Sequence, residues 1–305
     1  MKRAILTGAT GAVGSALIRE LINNNVEVLV FCRENSMRNS NIPSHPLIIK
    51  KYCDLSQLNN LKNETGKKWD VFYHLAWLGT IGEARNNMYL QNLNVRYSLD
   101  AVNVAKRFGC HTFIGAGSQA EYGRVEGVLK PETPVFPETG YGIAKLCAGQ
   151  MTREYAHQLG MKHIWIRILS VYGPNDGVQS MVMSTIQKLK DKENPQFTKG
   201  EQTWDYLYSG DAACAFRLVG EKGIDGKIYV LGSGSPRRLS EYIKDIGLVV
   251  DSEHEMNLGA IPYSKKQVMY LCADISELVN DTGWNPQVSF RDGIKTILVA
   301  NKEKL

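Results

Sequence analysis

No two of the six cysteines in this 305-residue chain (Cys32, Cys53, Cys110, Cys147, Cys214, Cys272) stand in a C-x-x-C pair. Neither a zinc site nor a disulfide framework is therefore expected, and the thiols are read as reduced. The six histidines are equally scattered. His74 and His163 sit in or beside apolar strand-like runs and read as satisfied core residues, so no metal is expected. No run of about twenty apolar residues exists to span a membrane. Met1-Lys2-Arg3 leads straight into a strand-like run and not into a secretory h-region, which makes the expected location cytoplasmic. The net charge is only +5, from 36 basic and 31 acidic residues. Such a small, scattered excess suits anionic small molecules and argues against a nucleic-acid partner. Internal repeats are also lacking.

What the chain has is a glycine turn, Thr7-Gly8-Ala9-Thr10-Gly11-Ala12-Val13-Gly14, between two patterned segments. Ala4, Ile5 and Leu6 before it read as a buried strand. Ala16, Leu17, Leu21 and Ile22 after it recur at helical spacing. A strand, glycine turn and helix in this order present free backbone N–H groups and a positive helix end to a pyrophosphate. The glycines run G-x-x-G-x-x-G, not G-x-G-x-x-G, and a tight packing turn is the plainer reading of the motif taken alone.

Further apolar runs at 26–31, 47–49, 71–75, 112–115 and 164–168 alternate with helical patterns, one carrying Val95, Leu99, Val102 and Ala105 on one face and another starting near Tyr141. Strands alternating with helices predict an α/β fold: a Rossmann-type, doubly wound parallel sheet with a smaller C-terminal substrate-binding lobe. The expected division is an NADP-binding Rossmann domain over 1–171 and a mainly substrate-binding lobe over 172–305, with part of 204–231 returning to the first. The charge run Lys188 to Glu193 reads as a solvated helix end. Ligands of such sheets bind beyond the carboxyl ends of the strands. The glycine turn, Cys32-Arg33, His74-Leu75-Ala76 and Gly115-Ala116-Gly117-Ser118 occupy such positions.

Tyr141 and Lys145 are four residues apart, so on a helix their side chains share a face. An adjacent ammonium and the positive nicotinamide ring favour a phenolate and give a proton donor suited to carbonyl reduction. Nicotinamide oxidoreduction is the chemistry the two signatures jointly indicate.

These motifs carry a resemblance. The glycine turn, Asp54-Leu55, His74-Leu75-Ala76, Asn94, Gly117-Ser118 leading to Tyr122-Gly123, Tyr141-x-x-x-Lys145 and Arg167 to Pro174 together resemble the extended short-chain dehydrogenase/reductase (NAD-dependent epimerase/dehydratase) family. That family mostly acts on nucleotide-activated sugars. The resemblance implies Tyr141 as acid/base, Lys145 as the residue that holds the nicotinamide ribose and depresses the Tyr141 pKa, and Ser118 as hydrogen-bond partner of the reacting oxygen. It implies cofactor binding at Gly8, Thr10, Gly11, Ala12, Val13, Gly14, Arg33, Asp54, Leu55, Leu75, Ala76, Asn94, Tyr141 and Lys145. Substrate binding is implied at Trp77, Ser118, Gln119, Tyr141, Ser170 and Trp204.

Two departures bear on the reaction. Dehydratases of the family carry an acidic pair directly after the Ser/Thr, where this chain has Gln119 and Ala120, with Glu121 one place late. Dehydration is thereby disfavoured. Where the family often has Arg-Asp-aromatic near the diphosphate, this chain reads Trp204-Asp205-Tyr206, leaving Arg237, Arg238, Lys265 or Lys266 as substitutes. Segments 200–202 and 258–284 are similar to abequose and paratose synthases, which reduce the 4-keto group of a CDP-linked dideoxysugar. The expected activity is reduction of a CDP- or dTDP-linked 4-keto sugar. A nucleotide-sugar 4-epimerase with bound NAD and a non-catalytic dinucleotide sensor are the alternatives. NADP(H) is the expected cofactor, because the position 18 residues beyond Gly14 is Cys32, followed by Arg33, with no carboxylate there for a ribose 2′-OH. The resemblance further implies a homodimer formed through the helices over about 85–107 and from 141.

Overall fold

Strict alternation of apolar residues builds a sheet with two buried faces. Ala4, Leu6, Val28, Val30, Val71, Tyr73 and Ile114 pack on one side, and Ile5, Leu29, Phe31, Phe72 and Phe113 on the other. The computed structural model describes residues 1–251, 255–265 and 267–302. Its main sheet contains β1 (Arg3–Thr7), β2 (Glu27–Cys32), β3 (Ile48–Tyr52), β4 (Val71–His74), β5 (Thr112–Ser118), β6 (Lys162–Ile168) and an edge strand, Ile228–Leu231. All seven are parallel, in the order edge strand, β6, β5, β4, β1, β2, β3. The strand order reverses at β1, so a crevice opens beyond Thr7, between the ends of β2 and β4. β5 outruns its apolar pattern by three residues because Ala116, Gly117 and Ser118 still pair with Ile166, Arg167 and Ile168.

The helices are α1 (Ala12–Asn23), α2 (Met88–Arg107), α3 (Gly140–Gln158), α4 (Met181–Lys190), α5 (Ser209–Lys222), α6 (Leu239–Val250), α7 (Ser276–Thr282) and α8 (Phe290–Lys302). α1 and α5 cover one face of the sheet and α2 and α3 the other, the doubly wound arrangement that the alternation predicts. On α2, Val95, Val102 and Ala105 are buried, but Leu99 is not on that stripe. The buried row runs through Gln91, Asn94 and Ser98, polar residues that a count of apolar positions passes over.

Beyond β6 the chain builds a second cluster. Strand Ser170–Tyr172 pairs with Tyr206–Tyr208, and α4, α6 and α8 enclose Tyr172, Tyr206, Tyr242 and Phe290. Between these segments α5 packs against α1, and residues 228–231 complete the main sheet. Asp205, fully buried, accepts backbone N–H bonds from Ser233 at 2.6 Å, Gly234 at 3.1 Å and Ala273 at 3.0 Å. One carboxylate thus ties three distant segments together. Lys188, Lys190 and Lys192 stand exposed around the end of α4, as a solvated helix end should.

Candidate active site

The glycine turn divides its work between packing and opening. Gly8 has φ +75°, and a Cβ there would lie 2.6 Å from the Ala76 nitrogen. At Gly14 a Cβ would meet the Gly8 carbonyl oxygen at 2.1 Å. Both glycines are required by the protein itself. At Gly11, in contrast, the nearest atom to a Cβ is 4.0 Å away, so the protein leaves this side of the turn clear. Gly11 also starts α1, whose N-terminus has no side-chain cap and no acidic residue in its first turn. The N–H groups there are available to an anion.

A groove runs from this turn along the ends of β1, β2 and β4. Thr7 to Gly11, Phe31 to Arg33, Asp54, Leu55 and Leu75 to Leu78 line it, joined by Ser36, Arg38 and Asn39. Arg33 and Arg38 stand exposed at its outer end. Arg38 donates to the Asn175 carbonyl at 2.8 Å. The Asn39 Oδ1 is buried in the groove wall without a hydrogen-bond partner. A clear approach at Gly11, an uncapped helix start and two guanidinium groups at one end fit the phosphates of a dinucleotide, and the free Asn39 acceptor fits a hydroxyl or amino donor. Asp54 is the N-cap of a short helical turn, accepting from the Ser56 nitrogen at 3.1 Å.

His74 does not reach the groove. Its ring nitrogens bond Thr7 Oγ1 at 2.9 Å and Ser98 Oγ at 3.3 Å. Burial, aided by the Lys145 charge, pushes it down to about 3, so it is a neutral core group. Asn94 is likewise engaged elsewhere: its Oδ1 accepts from the Leu78 nitrogen and its Nδ2 donates to the Leu78 carbonyl, both at 2.9 Å. It pins the groove wall and does not line the path. The glycines at 115 and 117 serve packing too, since a Cβ on either would strike Trp165 at 2.1 and 2.3 Å.

Ser118, Tyr141 and Lys145 meet at the ends of β5 and α3. Thr139 caps α3 through the Gly142 nitrogen, so Tyr141 emerges in the first turn and Lys145 one turn later. The Ser118 side chain lies near enough to the Tyr141 hydroxyl to favour its ionised form. Lys145 Nζ donates to the Ala116 carbonyl at 2.6 Å and lies 3.8 Å from the centre of the Trp77 ring. Burial lowers the ammonium to about 7, against the pull of Glu121. Burial also raises Tyr141, opposed by Ser118 and Arg85. In the protein alone the phenol is therefore held above its ordinary value, and the depression expected from Lys145 is not seen. The ammonium is turned toward Ala116 and Trp77, 5.8 Å from the phenol ring centre.

Trp77 lies in the groove wall against Lys145 and edge-on to Tyr141. Gln119 is half-buried on the turn after Ser118. Glu121 is fully buried, accepting from Arg167 Nε at 2.7 Å, Trp165 Nε1 at 3.0 Å and the Ser118 nitrogen at 2.8 Å. Its acceptor capacity goes into this network. Trp204 Nε1 donates to Ser170 Oγ at 2.8 Å, uniting two expected substrate residues. Arg237 pairs with Trp204 across antiparallel strands, and its guanidinium bonds Asp245 at 2.9 Å over the Tyr242 ring. Arg238 and Lys265 are exposed, and Lys266 lies outside the described residues. Arg38, Arg85 and Gln91 are site residues that the motifs miss. Only Arg38, five places after Arg33, had a local signal.

A family model described as the NAD dependent epimerase/dehydratase family matches residues 4–232. Among curated relatives, a putative UDP-glucose 4-epimerase of Methanocaldococcus jannaschii is 24% identical, over 96% of each chain. A dTDP-4-dehydro-6-deoxyglucose reductase of Escherichia coli is also 24% identical, over 96% of each. Among solved structures, a UDP-glucose 4-epimerase from Thermotoga maritima with UDP-glucose superposes with a TM-score of 0.87 at 22% identity, covering 100% of this chain and 99% of the other. A UDP-glucuronic acid 4-epimerase from Bacillus cereus in complex with UDP-glucuronic acid and NAD gives 0.86 at 21%, covering 100% of both chains.

Proposed function

The chain belongs to the NAD dependent epimerase/dehydratase family, and from that premise we propose that it is an NADPH-dependent reductase. Its substrate is the 4-keto group of a CDP- or dTDP-linked 4-keto-6-deoxyhexose or 4-keto-3,6-dideoxyhexose. The observation that carries the reading is the cationic end of the groove, where Arg33 and Arg38 stand beyond β2. A 2′-phosphate fits that pair, and a cofactor recognised by its 2′-phosphate suits a reductant exchanged at each turnover. Glu121, bound into the Arg167 network, is not free to act as the acid of a water elimination.

NADPH, when bound, supplies the hydride. Tyr141 gives its hydroxyl proton to the nascent alkoxide, and Ser118 holds the same oxygen by a hydrogen bond. Lys145 presents its ammonium to the nicotinamide ribose, and the uncapped start of α1 meets the pyrophosphate. Trp204 and Ser170 face the sugar nucleotide. The protein is a homodimer joined through the outer faces of α2 and α3, where Met88, Tyr89, Leu93, Ile143 and Met151 are exposed. A monomer mass by light scattering at micromolar concentration excludes that dimer.

The names of the relatives support a second reading, a 4-epimerase that uses the same Ser118, Tyr141 and Lys145 with bound NAD. A hydride-transfer assay with CDP-, dTDP-, GDP- and UDP-linked 4-keto sugars separates the two. The reductase consumes NADPH stoichiometrically. Interconversion of UDP-glucose and UDP-galactose without net NADPH consumption identifies the epimerase.

A further inference from the structure

The cation nearest the Tyr141 ring is not Lys145. The Arg85 guanidinium carbon lies 4.3 Å from the ring centre, against 5.8 Å for Lys145 Nζ. Arg85 reaches this place from the loop between β4 and α2, and several contacts hold that loop in register with α3. Asn86 Oδ1 accepts from the Gly140 nitrogen at 3.0 Å, joining the neighbour of Arg85 to the neighbour of Tyr141. A Cβ on Gly140 would lie 3.1 Å from the Arg85 carbonyl, so the glycine permits the approach. Arg85 Nη1 donates to the Thr80 carbonyl at 2.8 Å. Gln91, 1% exposed, donates to the Gly79 and Ala84 carbonyls at 2.9 Å and accepts from Trp77 Nε1 at 2.8 Å. The residue under Lys145 and the loop over Tyr141 thus share one buried amide.

We propose that Arg85 is a positioning residue for Tyr141: its guanidinium, stacked on the phenol, fixes the ring toward Ser118 and adds a positive charge beside it. The proposal rests on Tyr141 being the acid/base of the reaction. Three groups act on the phenol from the elements around it, and a fourth points elsewhere. Arg85 from the loop and Ser118 from β5 favour its ionised form, Glu121 from the following turn opposes it, and Lys145 from α3 is directed away. A cation on the face of an aromatic ring is attracted to it as well, which orients the pair.

The test is carbon NMR of the full-length protein labelled at the tyrosine ring Cζ, with Tyr141→Phe identifying the resonance. The phenolate-to-phenol ratio is read at one fixed alkaline pH, with and without oxidised dinucleotide. Arg85→Met lowers that ratio about tenfold, the low end for removing an opposite charge at this range. Arg85→Lys, which keeps the charge, stays within about threefold of wild type. An unchanged ratio in a folded Arg85→Met protein overturns the proposal, as does a tenfold loss in Arg85→Lys. The readout needs no substrate. Failure here leaves the reductase reading standing, and failure of the hydride-transfer assay leaves this titration interpretable.

Discussion

The two ends of the proposed site, one for the cofactor and one for the sugar, are built from different materials. Around Gly8, Gly11 and Gly14 the essential groups are backbone N–H donors and empty space, set by one strand, one turn and one helix start. Around Trp204 and Ser170 the contact is between side chains brought together from strands far apart in the chain. A backbone-built site tolerates change in every side chain except those that must be absent. A side-chain-built site is retuned by single substitutions, which is how one family serves many sugars on one fold.

The catalytic centre lies between these ends and gives the largest test of the contrast. Tyr141→Phe is expected to lower kcat at least about a hundredfold, the lower range for a positioned proton transfer, with NADPH affinity and thermal stability unchanged. A Tyr141→Phe protein that stays fully active on a 4-keto nucleotide sugar overturns the mechanism.

Next in size is a pair within the glycine turn. Gly8→Ala forces a Cβ into the left-handed region and against Ala76, so a loss of about 2 kcal/mol or more is expected in chemical denaturation. Gly11→Ala should leave the denaturation midpoint in place and weaken NADPH, because the only thing its Cβ obstructs is a ligand. If both variants lose stability equally, the turn is a packing device and not a cradle.

Arg33→Ala should reduce the preference for NADPH over NADH by about tenfold to a hundredfold in kcat/KM, the worth of a charge-assisted bond to phosphate, and Arg38→Ala by less, since Arg38 also holds Asn175. Equal use of the two cofactors by wild type, unchanged in Arg33→Ala, removes the NADP assignment. The smallest effect belongs to the sugar end. Trp204→Phe deletes one hydrogen bond to Ser170, worth about 1 kcal/mol, and should raise KM for the sugar nucleotide severalfold while leaving KM for NADPH alone.

The same division explains what could be read from the chain. Strand periods, the glycine turn and the burial of His74 and His163 are local, so the sheet was legible in the sequence, as was the placing of Tyr141 and Lys145 one turn apart on a helix. Leu99 was misplaced because the buried stripe of α2 is partly polar, and the packing of Gly117 on Trp165 had no local signal. Glu121 with Arg167, Gln91 with Trp77, and Arg85 with Tyr141 are partnerships across separate elements, invisible to any spacing rule. The turning of Lys145 toward Ala116 depends on the same tertiary detail.

The return of α5 and of residues 228–231 to the main sheet also sets an order on synthesis. α1 is made well before α5, so the helix that covers it is not complete until Lys222, and the β6 edge stays unpaired until Leu231. Through the interval between them the nascent chain carries an uncovered apolar helix face and an open strand edge, features prone to wrong association. A ribosome stalled between the codons for 171 and 228 would therefore display a sticky intermediate that chaperones must shield, although nearly all the groove residues have already emerged.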